Sequence, residues 1–292
     1  MDSITHTLFG LTIYKAMDKQ EMNIKERRAL LFTAVVGSHL PDSDVVSKFF
    51  DSEGLYQMWH RGITHSIFML PFMAIALFAL TALIFNVRDK RIFYVSLFSV
   101  FVHITSDLFN AWGTGYLEPF SSIRITFGTI PIIDFVIWGL ISSGFILSKL
   151  KKQWKSSFIF KMVLLAITAH IVIQSGQGYI LYQQSKNYYE QIALSASFLP
   201  GHFQIIGKKG ELVEISDASL LSGRKVKASL ISKENADLNT LFTKNPKAKT
   251  LYAWSPFVVV VDNDEQLGIY DPRFYRNGQS FLFEYIDKND IK

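Results

Sequence analysis

The sequence predicts a mainly α-helical membrane bundle of about six helices, followed by a small, β-rich C-terminal domain on the extracytoplasmic side. Three observations predict it. Long apolar runs are confined almost entirely to residues 1–183, basic residues cluster between alternate runs, and residues 184–292 read as an ordinary soluble sequence. The averages over 292 residues, 49% hydrophobic and a mean hydropathy of +0.20, conceal these two regimes.

The first two apolar stretches, Ile4–Met17 and Ala29–Val46, are short or interrupted by polar groups, which predicts helices half-inserted or shielded by their neighbours. Ser66–Asn86, Ile92–Leu108, Thr129–Leu147 and Phe158–Tyr182 each approach the roughly 17 to 25 residues that cross a bilayer. Lys and Arg concentrate in cytoplasmic loops. The first loop holds Lys19, Lys25, Arg27 and Arg28, the third Arg88, Lys90 and Arg91, and the fifth Lys149, Lys151, Lys152 and Lys155. The second carries Lys48 and Arg61, and the fourth Arg124. The odd loops are thus predicted inside, and the N-terminus, even loops and C-terminal domain outside, in a multi-pass inner-membrane protein of bacterial type. Met1-Asp2-Ser3-Ile4-Thr5-His6 offers an acid and no basic region, which reads as mature protein rather than a signal peptide.

Beyond residue 184, short runs at His202–Ile206, Leu212–Ile215, Lys225–Ile231, Phe257–Val261 and Ser280–Tyr285 predict strands. Gly207–Gly210, Asp262–Asp264 and Asn277-Gly278 are the turns between them. The net charge of +5 does not point to nucleic acid, because the basic residues lie in short clusters between apolar segments. With no cysteine, disulfides and thiolate ligands are excluded, so any metal must be held by nitrogen and oxygen.

That donor set is present. His6 opens the first helix, and His39, Asp42 and Asp44 close the second in His-Leu-Pro-Asp-Ser-Asp. His60 and His65 precede the third in His-Arg-Gly-Ile-Thr-His-Ser, His103 and Asp107 end the fourth, and Asp134 begins the fifth. Because successive helices alternate in direction, all these positions fall at one end of the bundle, the end that the basic loops independently place outside. His103 and Asp107, four apart, share a helical face. Pro41 is expected to break its helix, letting Asp42 and Asp44 turn back toward a site that His39 reaches.

Five imidazoles and four carboxylates exceed the three protein ligands plus water of a typical catalytic zinc. Two divalent ions, zinc by type, are therefore predicted, and they would balance four carboxylates that are costly near a membrane. Arg61, between two candidate ligands, is placed to bind an anionic substrate oxygen, and Asp44 to act as general base or to orient a histidine. His170, in mid-helix, reads as an interhelical hydrogen bonder, while His202 carries no special reading. Gly10, Gly37 and Gly62 suit close helix approach or sharp turns.

The four motifs Met-Asp-Ser-Ile-Thr-His, His-Leu-Pro-Asp-Ser-Asp, His-Arg-Gly-Ile-Thr-His-Ser and His-Ile-Thr-Ser-Asp, in that order over residues 1–145, resemble the YdjM-like family of inner-membrane metal-dependent hydrolases. The resemblance implies a helical domain distantly similar to zinc-dependent phospholipase C and P1 nuclease, with His6, Asp42, His65, His103 and Asp107 matching the ligand pattern best. The pattern departs after Asp107, where no second His pair followed by Glu occurs, which argues against a third metal. The expected function is hydrolysis of a phosphoester, on a lipid or lipid-linked substrate, with membrane lipids as partners and the oligomeric state open. The rival readings are a metal transporter and a metal-stabilised, non-catalytic membrane assembly or binding protein.

Overall fold

The structure, a computed structural model, describes residues 1–51 and 54–291. The chain divides into two compact units, Met1–Asp44 with Arg61–Ser175, and Val45–His60 with Gly176–Lys292.

Capping residues decide where the helices of the first unit begin. Asp2 accepts the Ile4 and Thr5 N–H groups and starts α1, Ser3–Ala16. Asn23 and Glu26 form a reciprocal capping box at the head of α2, Ile24–Gly37. An irregular 3-10 segment, Leu40–Phe50, follows Ser38 and His39 where Pro41 forbids further helix. The one-turn helix α3, Tyr56–Trp59, belongs to the second unit. A 3-10 turn, Ile63–His65, leads into α4, Leu70–Phe85, which ends on Asn86 in the left-handed conformation. Asp89 caps α5, Lys90–Asp107, and Asp134 caps α6, Phe135–Leu150.

α1 packs on α2, α5 and α6, and α2 on α4 and α5. Ile13, Met22, Leu30, Ala34 and Val95 make one core cluster, and Phe9, Ile130, Ile137, Ile141, Val163 and Ile167 belong to another. α1 and α2 meet closely because Gly10 has no side chain: a Cβ there would lie 2.8 Å from the Ala34 carbonyl oxygen. The expected close approach at Gly37 is present too, against Ser99 and Leu77.

These helices correct the expected six-helix membrane bundle. Among the described residues the chain forms nine α-helices, and one of them, α7 at Ser156–Ser185, is long and apolar enough to cross a membrane. α4 and α6 are apolar but have 16 residues each, a rise of about 24 Å against a hydrocarbon core of about 30 Å. α5 has 18 residues, but it buries Ser96, Ser99, His103 and Asp107. Hydropathy overestimated the spans because it registers apolar composition, whereas caps and turns set the ends. The alternation of inside and outside loops rested on six crossings, which these helix lengths do not show.

In the second unit, β1 Gln191–Ala196, β2 His202–Lys209, β3 Leu212–Ser219 and β4 Gly223–Ile231 form an antiparallel meander with a bulge at Ile215/Ser216. Alternation gives the sheet two buried faces. Leu194, Ala196, Phe203, Ile205 and Ala218 pack against Leu181 near the end of α7, while Ala193, Ile206, Val213 and Ile215 pack against Phe257 and Val259. Two short helices that the sequence reading did not anticipate, α8 Leu238–Lys244 and α9 Pro246–Trp254, come next. β5 Val259–Asp262, β6 Gln266–Tyr270 and β9 Phe283–Asp287 form a second sheet, and β7 Tyr275–Arg276 with β8 Gln279–Ser280 forms a small hairpin turning at Asn277-Gly278.

Candidate metal centre

Antiparallel packing gathers the start of α1, the end of α2, the run-in to α4 and the end of α5 at one end of the first unit. Four residues converge there: Asp42 from the segment after Pro41, His65 from the 3-10 turn, and His103 with Asp107 from the last turns of α5. One ligand-type atom from each lies within 4.8 Å of all the others. His65 Nε2 stands 3.3 Å from Asp42 Oδ1 and 3.5 Å from Asp107 Oδ2, and His103 Nε2 stands 3.5 Å from Asp42 Oδ1. His65, His103 and Asp107 are buried, and Asp42 is half-buried.

The protons explain what this arrangement requires. His103 Nδ1 lies 2.7 Å from the Ser38 carbonyl, which can only accept, so Nδ1 carries the proton and Nε2 presents a lone pair. The Thr64 hydroxyl donates to Asp44 Oδ2 at 3.0 Å and sits 3.1 Å from His65 Nδ1, from which it can accept. His65 Nε2 then also presents a lone pair. Burial pushes the His65 imidazole down to about 3, in spite of the neighbouring Asp42 carboxylate, so the ring is neutral.

Two imidazole lone pairs thus face each other 3.2 Å apart, with carboxylate oxygens on either side. Asp42, His65 and His103 bring three acceptors together beside the Asp107 carboxylate, whose own donors are the Met1 amino group and Arg61 Nε, and a cation at the centre would offset the repulsion among them. Two neutral nitrogens and two carboxylates suit a divalent ion in charge and chemistry. The outer hydrogen bonds, Ser38 to His103 and the Thr64–Asp44 pair to His65, are those that orient ligating histidines.

The other expected site residues are distributed as follows. His6 is buried, stacks on His103 with ring centroids 3.8 Å apart, and points Nε2 toward Asp107 Oδ1 at 3.6 Å. Neither of its ring nitrogens has a hydrogen-bond partner among the described residues. His39 bonds Thr7 Oγ1 through Nε2 at 2.9 Å, with its ring edge toward His6. Asp44 accepts the Arg61 N–H at 2.9 Å. Arg61 is buried with a left-handed backbone, φ 58°, which a non-glycine residue adopts only when its surroundings enforce it. Its Nε lies 3.3 Å from Asp107 Oδ2, and Nη1 donates to Asn110 Oδ1 at 2.8 Å. The amino group of Met1 also contacts Asp107.

His60 belongs to the second unit, where its ring stacks on Tyr56 at 5.3 Å. Asp134 is engaged in capping α6 and accepts from His170 Nε2 at 3.0 Å, so the mid-helix histidine does bond across helices. Sequence reasoning passed over Asn110 and Thr64. Asn110 stands one turn beyond Asp107, a spacing that would have placed it on the same face had the helix end been known.

The family model described as YdjM inner membrane protein matches residues 1–178. Among curated proteins, the chain is similar to the uncharacterized protein YfhP of Bacillus subtilis (strain 168), at 29% identity over 138 residues. That match spans 46% of this chain and 42% of that protein, less than half of either length. No solved structure matches the chain, and the expected similarity to phospholipase C and P1 nuclease does not emerge from these comparisons.

Proposed function

The chain belongs to the YdjM inner membrane protein family, and from that membership together with the buried Asp/His cluster we propose that it is a membrane-associated, metal-dependent hydrolase of phosphoesters. The observation that carries this reading is the pair of imidazole lone pairs 3.2 Å apart between Asp42 and Asp107, with the Arg61 guanidinium alongside. A purely structural centre has no use for a strained arginine at its edge.

In this proposal Asp42, His65, His103 and Asp107 hold one zinc ion. A second ion would draw on His6, whose nitrogens are unpartnered, and on the other oxygen of Asp107. When bound, such ions supply Lewis acidity and bring the ionisation of water toward neutral pH. Arg61, fixed by Asn110, neutralises a phosphoryl oxygen of the substrate. Asp44 works by position: through Thr64 it holds His65 in the tautomer that leaves Nε2 open. A lipid or lipid-linked phosphoester is the substrate class that fits a protein of this family.

Elemental analysis of the detergent-purified chain beside a His103→Ala, Asp107→Ala double variant tests this, with phosphodiesterase and phosphomonoesterase assays on the same samples. Stoichiometric metal lost together with activity is expected. Full activity in the double variant, or no metal in wild type under metal-replete, chelator-free conditions, would sink the hydrolase.

A further inference from the structure

We infer that the second unit carries a membrane-surface site of its own, which inserts two apolar hairpin tips among lipids and holds an anionic lipid headgroup behind them. Strand direction is the starting point. β1 ends and β2 begins at the end of the sheet where β3 ends and β4 begins, since Ala196 pairs with Phe203, and His202 with Ser219. The loops 197–201 and 220–222 are therefore neighbouring tips. Each carries bare apolar side chains: Phe198 and Leu199 are 50% and 64% exposed, Leu220 and Leu221 42% and 100%.

Within this unit the sheet and its first tip pack against the end of α7. Leu181 packs on the sheet, and Gly201 in the first tip lies against Gln177, eight residues before the helix ends at Ser185. A 30-residue helix is about 45 Å long and outruns a hydrocarbon core of about 30 Å. The polar break Gln174-Ser175-Gly176-Gln177-Gly178 follows the apolar stretch that ends at Ile173, so it marks headgroup depth, and Gly201 of the first tip lies beside Gln177.

Charge completes the surface. β4 opens with Arg224, Lys225 and Lys227, and Arg276 in the β7–β8 hairpin sits over the Phe198 ring at 5.9 Å. Lys227 and Arg224 have carboxylate partners in Asp217 and Glu214, whereas Lys225 and Arg276 have none among the described residues. Behind the tips lies a cavity of about 760 Å3, lined by Phe198, Leu199 and Arg276 together with Gln204, Asp217 and Lys227. Apolar side chains with a basic collar are the composition that holds to an anionic lipid interface, and a polar cavity with Arg276 and Lys227 in its lining suits the headgroup of such a lipid.

The test uses the full chain, which has no cysteine, so single Leu221→Cys, Phe198→Cys and Lys209→Cys variants accept one environment-sensitive fluorophore each. Lys209 lies at the opposite end of the sheet and is the water-exposed control. The labelled chains are reconstituted into phosphatidylcholine vesicles with or without phosphatidylglycerol, with quenchers on the acyl chains. Labels at 198 and 221 should be quenched and blue-shifted relative to 209, and more so with phosphatidylglycerol. Arg276→Ala or Lys225→Ala should lower the anionic-lipid increment about fivefold, one cation's worth at such a surface, and Arg276→Lys should restore it. Water-like emission at 198 and 221 in both vesicle types overturns the insertion. Equal quenching in the two overturns the headgroup assignment.

Discussion

Asp107 in the first unit and Asp271 in the second are both fully buried carboxylates, and their surroundings differ in kind. Asp271 is answered donor for donor. Arg273 supplies its N–H at 2.9 Å, Nε at 3.0 Å and Nη2 at 2.6 Å, and Ser255 Oγ adds a fourth contact at 2.8 Å. The guanidinium in turn lies over Trp254 at 4.8 Å. Asp107 meets the Met1 amino group and Arg61 Nε from distant segments, yet three further acceptors, Asp42 Oδ1 and two imidazole nitrogens, crowd the same place. A buried charge matched by its own neighbours is structural, while acceptors gathered in excess around a buried carboxylate suit a cation.

If that contrast is right, perturbations should separate the two units. Asp271→Ala removes the carboxylate that answers the buried Arg273 charge, so it should cost about 3 to 5 kcal/mol of stability by denaturant titration with metal content unchanged. Chelating the metal should leave Asp271 undisturbed yet lower stability by the binding linkage, about 4 kcal/mol at a thousandfold saturation. The check is the melting shift on adding chelator to wild type, which should vanish in the His103→Ala, Asp107→Ala variant. Asp44→Asn weakens the Thr64 link that orients His65, and should lower metal affinity by about 10- to 100-fold in a competition titration. Smallest of all, Ser255→Ala removes one of several donors to Asp271 and should cost about 1 kcal/mol, again with full metal. An Asp271→Ala protein that lost its metal would break the comparison.

Much of this was open to sequence reasoning, for identifiable reasons. The i, i+4 spacing of His103 and Asp107 puts them on one face wherever that helix lies, and alternating helix direction gathers helix ends whether or not a membrane surrounds them. The expected strands at His202, Leu212 and Lys225 follow from period-two alternation, and each is present, extended at one or both ends. Helix length was misread because the start of α6 is set by the Asp134 cap and that of α4 by the turn at Ile63–His65, local hydrogen bonding that a hydropathy window does not register.

By itself the sequence determined the inventory, nitrogen and oxygen donors without cysteine, an apolar first part and a β-rich second part, whereas the single helix of membrane-crossing length among the described residues emerged from the structure. Tertiary structure alone decided the use of each donor. Asp134 and Asp107 are the same residue type near helix ends, but the first finds two backbone N–H groups and His170, and the second faces His6, His65 and His103. A carboxylate's role depends on which protons reach it within about 3 Å; those at Asp134 come from residues 2, 3 and 36 positions on, whereas the Met1 amino group reaches Asp107 from 106 positions away.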